Sequence, residues 1–308
     1  MEQMNLFGGL DEKIQRSIDI IKLAADMSEH YYHKPLLIAY SGGKDSEVLV
    51  DLAIKSGVPI EILNSQTTVD APETVYHIRR QFAKWREMGI PCEIKYPTYK
   101  GKRTSMWELI PREGIMPTPW ARWCCAVLKE TSGGRRITAL GVRRSESVNR
   151  KDRAAYEIIG KNKESAIRKT YEDTAEVYQE DLDDSPYGEC RFIEKAKKNA
   201  KISANPIIDW TDEDVWAYIR DNGVIYNPLY DEGFSRVGCV GCPLAGGKHM
   251  RRDFERWPKY EKLYRRACQK LYDTLKAQGK AFYTTASSTN IEAKSGDEIF
   301  DWWINVRR

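Results

Sequence analysis

Apolar positions along this chain follow two rhythms in turn. Ile14, Ile18, Ile21 and Ala25 recur at helical spacing, which predicts an amphipathic helix over 11–33. Pro35 to Tyr40 is a short unbroken apolar run, the pattern of a strand buried on both faces. Val48, Leu49, Leu52 and Ala53 return to the helical stripe, and Val58–Leu63 reads as a second strand. Asp70-Ala-Pro-Glu marks a helix start with Pro72 in the first turn, and that helix runs to about Met88. Cys92–Tyr96 predicts a third strand, Trp120–Glu130 a helix and Arg136–Val142 a fourth strand. This alternation implies an α/β fold, a parallel sheet with helices on both faces.

The pattern changes in the middle of the chain. Residues 172–189 hold eight acidic residues and no basic one, and 191–201 is mostly basic. An insertion or flap at about 160–200 is expected there. Asn205–Trp210 is strand-like, and Thr211-Asp-Glu-Asp214 opens a helix with a capping-box pattern. A helical region over about 249–278, a small polar loop at 286–295 and a short amphipathic helix at 297–306 complete the chain. These breaks divide it into an N-terminal helix (1–34), a nucleotide-binding and cluster domain (35–245) and a helical C-terminal extension (246–308).

Composition narrows the class. The 308 residues include nine Trp and 17 Tyr, an aromatic load that a disordered chain does not carry. No apolar run approaches the ~20 residues of a membrane span, and Met1 to Asp11 lacks the pattern of a signal peptide. A cytoplasmic protein with reduced thiols and no membrane partner is therefore expected. Net charge is only +4, but 236–308 carries 15 basic residues against 8 acidic ones. In 250–272, Arg and Lys interleave with Phe254, Trp257, Tyr260 and Tyr264. A core stripe with a charged outer face is one reading, and a nucleic-acid surface is the other.

Ser41-Gly-Gly-Lys-Asp-Ser46 lies between the first predicted strand and its helix. Gly42 and Gly43 permit a tight turn and close backbone approach. The helix N-terminus, the hydroxyls of Ser41 and Ser46, and Lys44 supply donors for an anion. The spacing matches neither a Walker A loop nor G-x-G-x-x-G. Thr67 and Thr68 follow the second strand, where an open α/β sheet contacts an adenine or ribose. Arg143 and Arg144 follow the fourth strand, and their guanidinium forks suit phosphate or sulfate.

Two of the seven cysteines, Cys124 and Cys125, are adjacent, and Cys239 and Cys242 form a C-x-x-C. Four thiolates suit zinc or an iron–sulfur cluster. Adjacent side chains diverge, which disfavours one shared ion and favours a 4Fe–4S cluster. A redox-active C-x-x-C or unligated buried thiols are the other readings. Cys92, Cys190 and Cys268 stand alone. Cys92 and Cys268 read as small buried hydrophobes, and Cys190, beside the acidic segment, is a candidate persulfide carrier. His30, His33, His77 and His249 have no metal-ligand spacing and are assigned no role.

The loop hexapeptide resembles the signature of the ATP-pyrophosphatase (PP-loop) superfamily. Four further stretches occur in order: Trp123-Cys-Cys-Ala-Val-Leu-Lys129, Leu140-Gly-Val-Arg-Arg-Ser-Glu146, Asn205–Trp216 and Gly238-Cys-x-x-Cys242. Together, over roughly 35–245, they resemble the phosphoadenosine phosphosulfate (PAPS) reductase family of the adenine-nucleotide α-hydrolase group. The resemblance implies an adenine nucleotide, ATP or PAPS, at residues 41–46, with Lys44 and Asp45 in catalysis and Asp45 near Mg²⁺. It implies Arg143 at the nucleotide, Lys129 facing the cluster or the nucleotide, and the four paired cysteines as cluster ligands. The basic tail is similar to members carried by phages and mobile elements. Family reductases often have a degraded loop and a C-terminal thiol nucleophile. Here the loop is intact and no cysteine follows Cys268 within this sequence. The expectation is ATP-dependent adenylation coupled to sulfur transfer, as in the family's sulfurtransferases for DNA phosphorothioation. A sulfonucleotide reductase using Cys190 or a thiol in trans is the alternative, and a non-catalytic nucleotide- or nucleic-acid-binding partner is the second. A sulfur or electron donor protein is the implied partner, and a homodimer is left open.

Overall fold

A computed structural model describes residues 9–129, 136–151, 153–159, 167–169, 201–283 and 292–305. The acidic run at 172–189 and Cys190 lie outside the described residues. The elements, in order, are α1 (Leu10–Tyr32), β1 (Leu36–Ala39), α2 (Lys44–Ser56), β2 (Ile60–Ser65), α3 (Pro72–Glu87) and β3 (Cys92–Lys95). A hairpin follows, β4 (Thr98–Tyr99) and β5 (Lys102–Arg103), then α4 (Met106–Glu113), α5 (Trp123–Leu128) and β6 (Ile137–Ala139). Next come β7 (Tyr156–Ile159), β8 (Ile167–Lys169), β9 (Lys201–Ala204) and α6 (Asp212–Asn222). The chain ends with α7 (Gly247–Arg256), α8 (Pro258–Ala277), β10 (Phe282–Tyr283), β11 (Glu292–Ala293) and α9 (Gly296–Asn305). No described helix is long and apolar enough to cross a membrane.

These elements cluster into two compact units that are not contiguous in sequence. The first comprises 1–64, 76–93 and 133–236, and the second 65–75, 94–132 and 237–308. A seven-stranded sheet in the order β3-β2-β1-β6-β9-β7-β8 organises the first unit. β1 pairs in parallel with β2 and β6, and β6 with β9. β7 runs antiparallel to both β9 and β8. The sheet is thus mostly parallel and flanked by helices, with α1 against β1, β6 and β9 and α2 against β1. Leu36, Ile38, Val48, Leu49, Ile137 and Ala139 are fully buried, as the unbroken apolar run and the helical stripe require.

The strand order carries the functional consequence. From β1 the chain builds outward through β2 and β3, then returns to place β6 on β1's other side. The order therefore reverses at β1/β6, and the carboxyl ends of these strands form a switch-point crevice, where open α/β sheets bind ligands.

Two local readings differ from the structure. Asn205–Trp210 is a turn after β9. Pro206 cannot donate to a ladder, and buried Asn205 instead bonds the Ala154 carbonyl at 2.8 Å. The helical region at 249–278 is two helices, because Pro258 pushes Trp257 out of helical geometry. Thr211 does cap α6, accepting from the Asp214 N–H at 3.2 Å.

In the second unit, α8 packs against α4, α7 and α9. Phe254, Trp257 and Tyr264 are buried there, so the aromatic stripe of the basic segment is core. Trp303 is fully buried against Tyr264 (ring centroids 4.6 Å apart) and donates to the Pro117 carbonyl at 2.7 Å.

Candidate active site

The loop 41–46 leaves β1 at the switch point and runs straight into α2. Gly42 adopts φ 75°, a left-handed turn open to glycine. The loop is held by its own serines: Ser46 Oγ donates to the Gly43 carbonyl at 2.8 Å and accepts from the Ser41 N–H at 3.3 Å. These bonds close the turn at the start of α2, and a helix N-terminus at such a turn suits an anion.

Lys44 and Arg143 are nearly fully buried, at 5% and 3% exposed, and both serve the same carboxylates. Arg143 donates to Asp45 at 2.6 Å, to Asp212 at 2.9 Å and to Ser145 at 3.0 Å. Lys44 Nζ lies 2.8 Å from Asp212 and 3.4 Å from Asp45. Two cations and two carboxylates thus close one ionic network. Burial alone would raise the Asp212 pKa, but the bonds and charges from Lys44 and Arg143 outweigh it and lower it. Gly141, just after β6, makes this possible. A Cβ there would stand 3.1 Å from the Asp45 carbonyl carbon and oxygen, a tight contact with helix backbone, so glycine suits the close approach of β6 to the loop.

Further arginines gather in this unit. Burial lowers the Arg150 pKa, and the like charges of Arg153, Arg236 and Arg143 lower it further. Arg144, by contrast, is committed to Asp209 and to the Arg153 carbonyl. Behind the loop, buried Glu47 accepts from Tyr40 and lies 2.5 Å from His77 Nε2, so His77 has a structural partner. Burial raises the Glu47 pKa.

Sequence reasoning missed Asp212, Asn227 and Tyr230. Asn227 Nδ2 donates to the Gly42 carbonyl at 3.2 Å, and Tyr230 Oη accepts from the Lys44 N–H at 3.0 Å. The only local signal was the turn dipeptide Asn227-Pro228.

The second unit gathers the paired cysteines. Cys124 and Cys125 sit on α5. Cys239 bridges Asp70 as an isolated antiparallel pair, and Gly241 turns at φ 70° before Cys242. Phe254 leaves no room for a side chain at 241, because a Cβ would meet its ring at 2.7 Å. The Gly241 N–H donates to Asp253 at 2.9 Å, and Tyr264 donates to the Val240 carbonyl at 3.1 Å, which fixes the C-x-x-C backbone. The hydrogen bond between the two neighbours raises the Cys124 thiol and lowers the Cys125 thiol. The charges of Cys239 and Cys242 also raise the Cys124 pKa. Lys129 is held above the ordinary lysine range, foremost by Cys239 and also by Asp70, Cys125 and Cys242. Among the described residues, no three His, Cys, Asp or Glu groups are arranged to hold one metal ion. The donor set gathered here is four cysteine thiols, chemistry that suits a thiolate-ligated metal or cluster.

Thr67 and Thr68 belong to this unit. Thr67 donates to Asp70 at 2.8 Å and lies 3.5 Å from Cys239 Sγ. The Thr68 hydroxyl accepts from the Met106 N–H at 3.0 Å. Cys268 is fully buried 3.6 Å from Met116 Sδ. Cys92, expected to be buried, is only half-buried on the short strand β3, and the burial it has raises its thiol to about 11.

Residues 35–245 match the phosphoadenosine phosphosulfate reductase domain. The chain belongs to this family. An uncharacterized protein of Methanocaldococcus jannaschii is 31% identical over 252 residues, covering 80% of this chain and 51% of the relative. A second relative from that organism is covered over 43%, so the chain spans about half the length of the first curated relatives it matches. The adenosine 5'-phosphosulfate reductase of Lysinibacillus sphaericus is 23% identical over 250 residues, covering 78% of this chain and 85% of the relative. Among solved structures, the PAPS reductase of Candida auris, in a phosphate complex, aligns with TM-score 0.43 and 18% identity over 75% of this chain and 93% of that one. The U34-tRNA thiolase of Methanococcus maripaludis, solved with its 4Fe–4S cluster, aligns with TM-score 0.41 and 11% identity over 94% of this chain and 87% of that one.

Proposed function

We propose that this PAPS reductase-family chain binds ATP at the phosphate loop, releases pyrophosphate and couples the adenylation to sulfur transfer. The intact loop at the switch point, with Lys44, Asp45 and Arg143 in one network, carries this reading. A substrate oxygen forms a bond to the α-phosphorus as the α–β bridging bond breaks. The electron pair leaves with pyrophosphate, which the α2 N–H groups, the Ser41 and Ser46 hydroxyls and Lys44 stabilise. Arg143, with Arg150 and Arg236, balances charge on the nucleotide's phosphate side. A sulfur nucleophile from a donor protein then displaces AMP: a bond forms between sulfur and the activated acceptor atom, that atom's bond to the AMP-bearing oxygen breaks, and the electron pair leaves with AMP. Asp45 is bonded to Arg143 and Lys44, so Mg²⁺ would be held mainly through the phosphates of the nucleotide, where it would neutralise their charge.

Cys124, Cys125, Cys239 and Cys242 would hold a 4Fe–4S cluster, which supplies an iron site for sulfur or an electron. The chain's own contribution there is a fixed C-x-x-C backbone and the Lys129 ammonium beside the thiols. Nucleic acid is a candidate sulfur acceptor, favoured by the basic residues exposed on α7 and α8.

The adenosine 5'-phosphosulfate reductases among the relatives favour a second reading, reduction of a sulfonucleotide to sulfite. One anaerobic assay separates the two. Iron-loaded protein is given ATP or PAPS with a reductant, and pyrophosphate and sulfite are measured. Pyrophosphate from ATP that disappears in Lys44→Ala is expected. Sulfite from PAPS with no pyrophosphate from ATP would overturn adenylation. A colourless anaerobic preparation holding zinc and no iron would overturn the cluster.

A further inference from the structure

We propose that Tyr230 sets the affinity of the phosphate loop, its hydroxyl standing where a phosphate oxygen would otherwise bind. This rests on the loop being the pyrophosphate site. The Ser46 and Glu47 N–H groups bond the Gly43 carbonyl, so they are turned back into the helix. The Lys44 N–H, at the first residue of α2, instead meets the phenol oxygen of Tyr230 at 3.0 Å. The same oxygen is 3.3 Å from where a Cβ on Gly43 would lie. The hydroxyl therefore sits against the loop backbone, on a donor that an anion needs.

Its position is built, not incidental. Tyr230 ends the short 3₁₀ turn Pro228–Tyr230, which Asn227 caps through the Leu229 N–H at 3.1 Å. The other end of that amide holds the Gly42 carbonyl, so one fully buried side chain ties the turn to the loop. Trp216 packs edge-on against the Tyr230 ring at 5.3 Å and fixes its plane. These contacts direct the ring back to the loop, and the bond it makes to Lys44 is a neutral one. A charged phosphate oxygen is the stronger acceptor, so it displaces the phenol. The phenol returns when the anion leaves. Tyr230 thereby weakens the hold on pyrophosphate and favours product release.

A neutral hydrogen bond corresponds to a factor of about three to ten in an equilibrium constant. Tyr230→Phe, which keeps the ring and removes the oxygen, is expected to bind pyrophosphate about three- to tenfold tighter by calorimetry on the full chain. Equal or weaker binding would overturn the proposal. Amide exchange supplies the second measurement. In ligand-free protein the Lys44 amide is expected to exchange faster in Y230F than in wild type, and pyrophosphate slows it in both. Equal exchange in the two free proteins would also overturn it. If both proteins bind pyrophosphate equally, the loop reading stands and only the role of Tyr230 falls. If neither binds pyrophosphate or ATP, both fall.

Discussion

Gly141→Ala tests how closely β6 and the loop depend on each other. The added methyl would lie 3.1 Å from the Asp45 carbonyl carbon and oxygen and 3.3 Å from the Ser46 nitrogen. Ordinary van der Waals contact begins at 3.4 Å, so the backbones must separate by about 0.3 Å or more. The atoms in the way are helix backbone and cannot rotate aside as a side chain would. Overpacking of this kind costs about 1–3 kcal/mol, or a fall of roughly 2–5 °C in melting temperature for a chain of this size. The displaced residues, Asp45 and Ser46, belong to the anion cradle, and Arg143 loses its 2.6 Å contact with Asp45. Pyrophosphate affinity should therefore fall roughly tenfold. Scanning calorimetry and titration with pyrophosphate measure the two effects. Gly9→Ala serves as the control, since its Cβ would meet nothing within 4 Å. Wild-type stability and affinity in G141A would refute the claim that this glycine exists for close approach.

Two other predictions concern stability. Asp212 has a lowered pKa in the folded chain, so its contribution is present above the ordinary carboxylate range and is lost as pH falls through and below it. Its side chain is 54% exposed, so the contribution is about 0.5 kcal/mol after screening. Asp212→Asn should show a shallower loss of melting temperature between about pH 5 and pH 2, and an unchanged slope would speak against the ion network. Trp303→Ala removes a fully buried indole and its bond to Pro117. It should cost about 3–5 kcal/mol, read as a lower urea midpoint, whereas a loss under about 1 kcal/mol would contradict the packing.

The parts of the site that the sequence announced are those contiguous in it. Ser41–Ser46 carries its own turn glycines, hydroxyls and helix start, so local chemistry was enough to find it. Arg143 was found because a strand and a glycine precede it. Asp212 was read only as part of a helix cap. Its second role depends on the sheet order that brings α6 to the loop. Tyr230 and Asn227 lie more than 180 residues beyond the loop they brace. No periodicity encodes such a pairing. His77 was set aside for lack of metal spacing, yet it stands one helical turn from Gln81, and both reach Glu47. The antiparallel strands β7 and β8 went unread because the charge bias beyond them dominated that stretch. Asn205–Trp210 misled because its apolar residues are buried by a turn as fully as a strand would bury them.

The closed network of Lys44, Arg143, Asp45 and Asp212 has a consequence for selectivity. With its cations already matched by carboxylates, the cradle offers little net attraction to a passing chloride or bicarbonate ion. A lone monovalent anion gives Lys44 and Arg143 less than their present partners do. A ligand carrying several negative charges in a row can satisfy both at once while the backbone N–H groups take a further oxygen. On the reading that the loop binds a polyphosphate, this network would make it discriminate by the number of charges a ligand carries, even amid abundant simple salts.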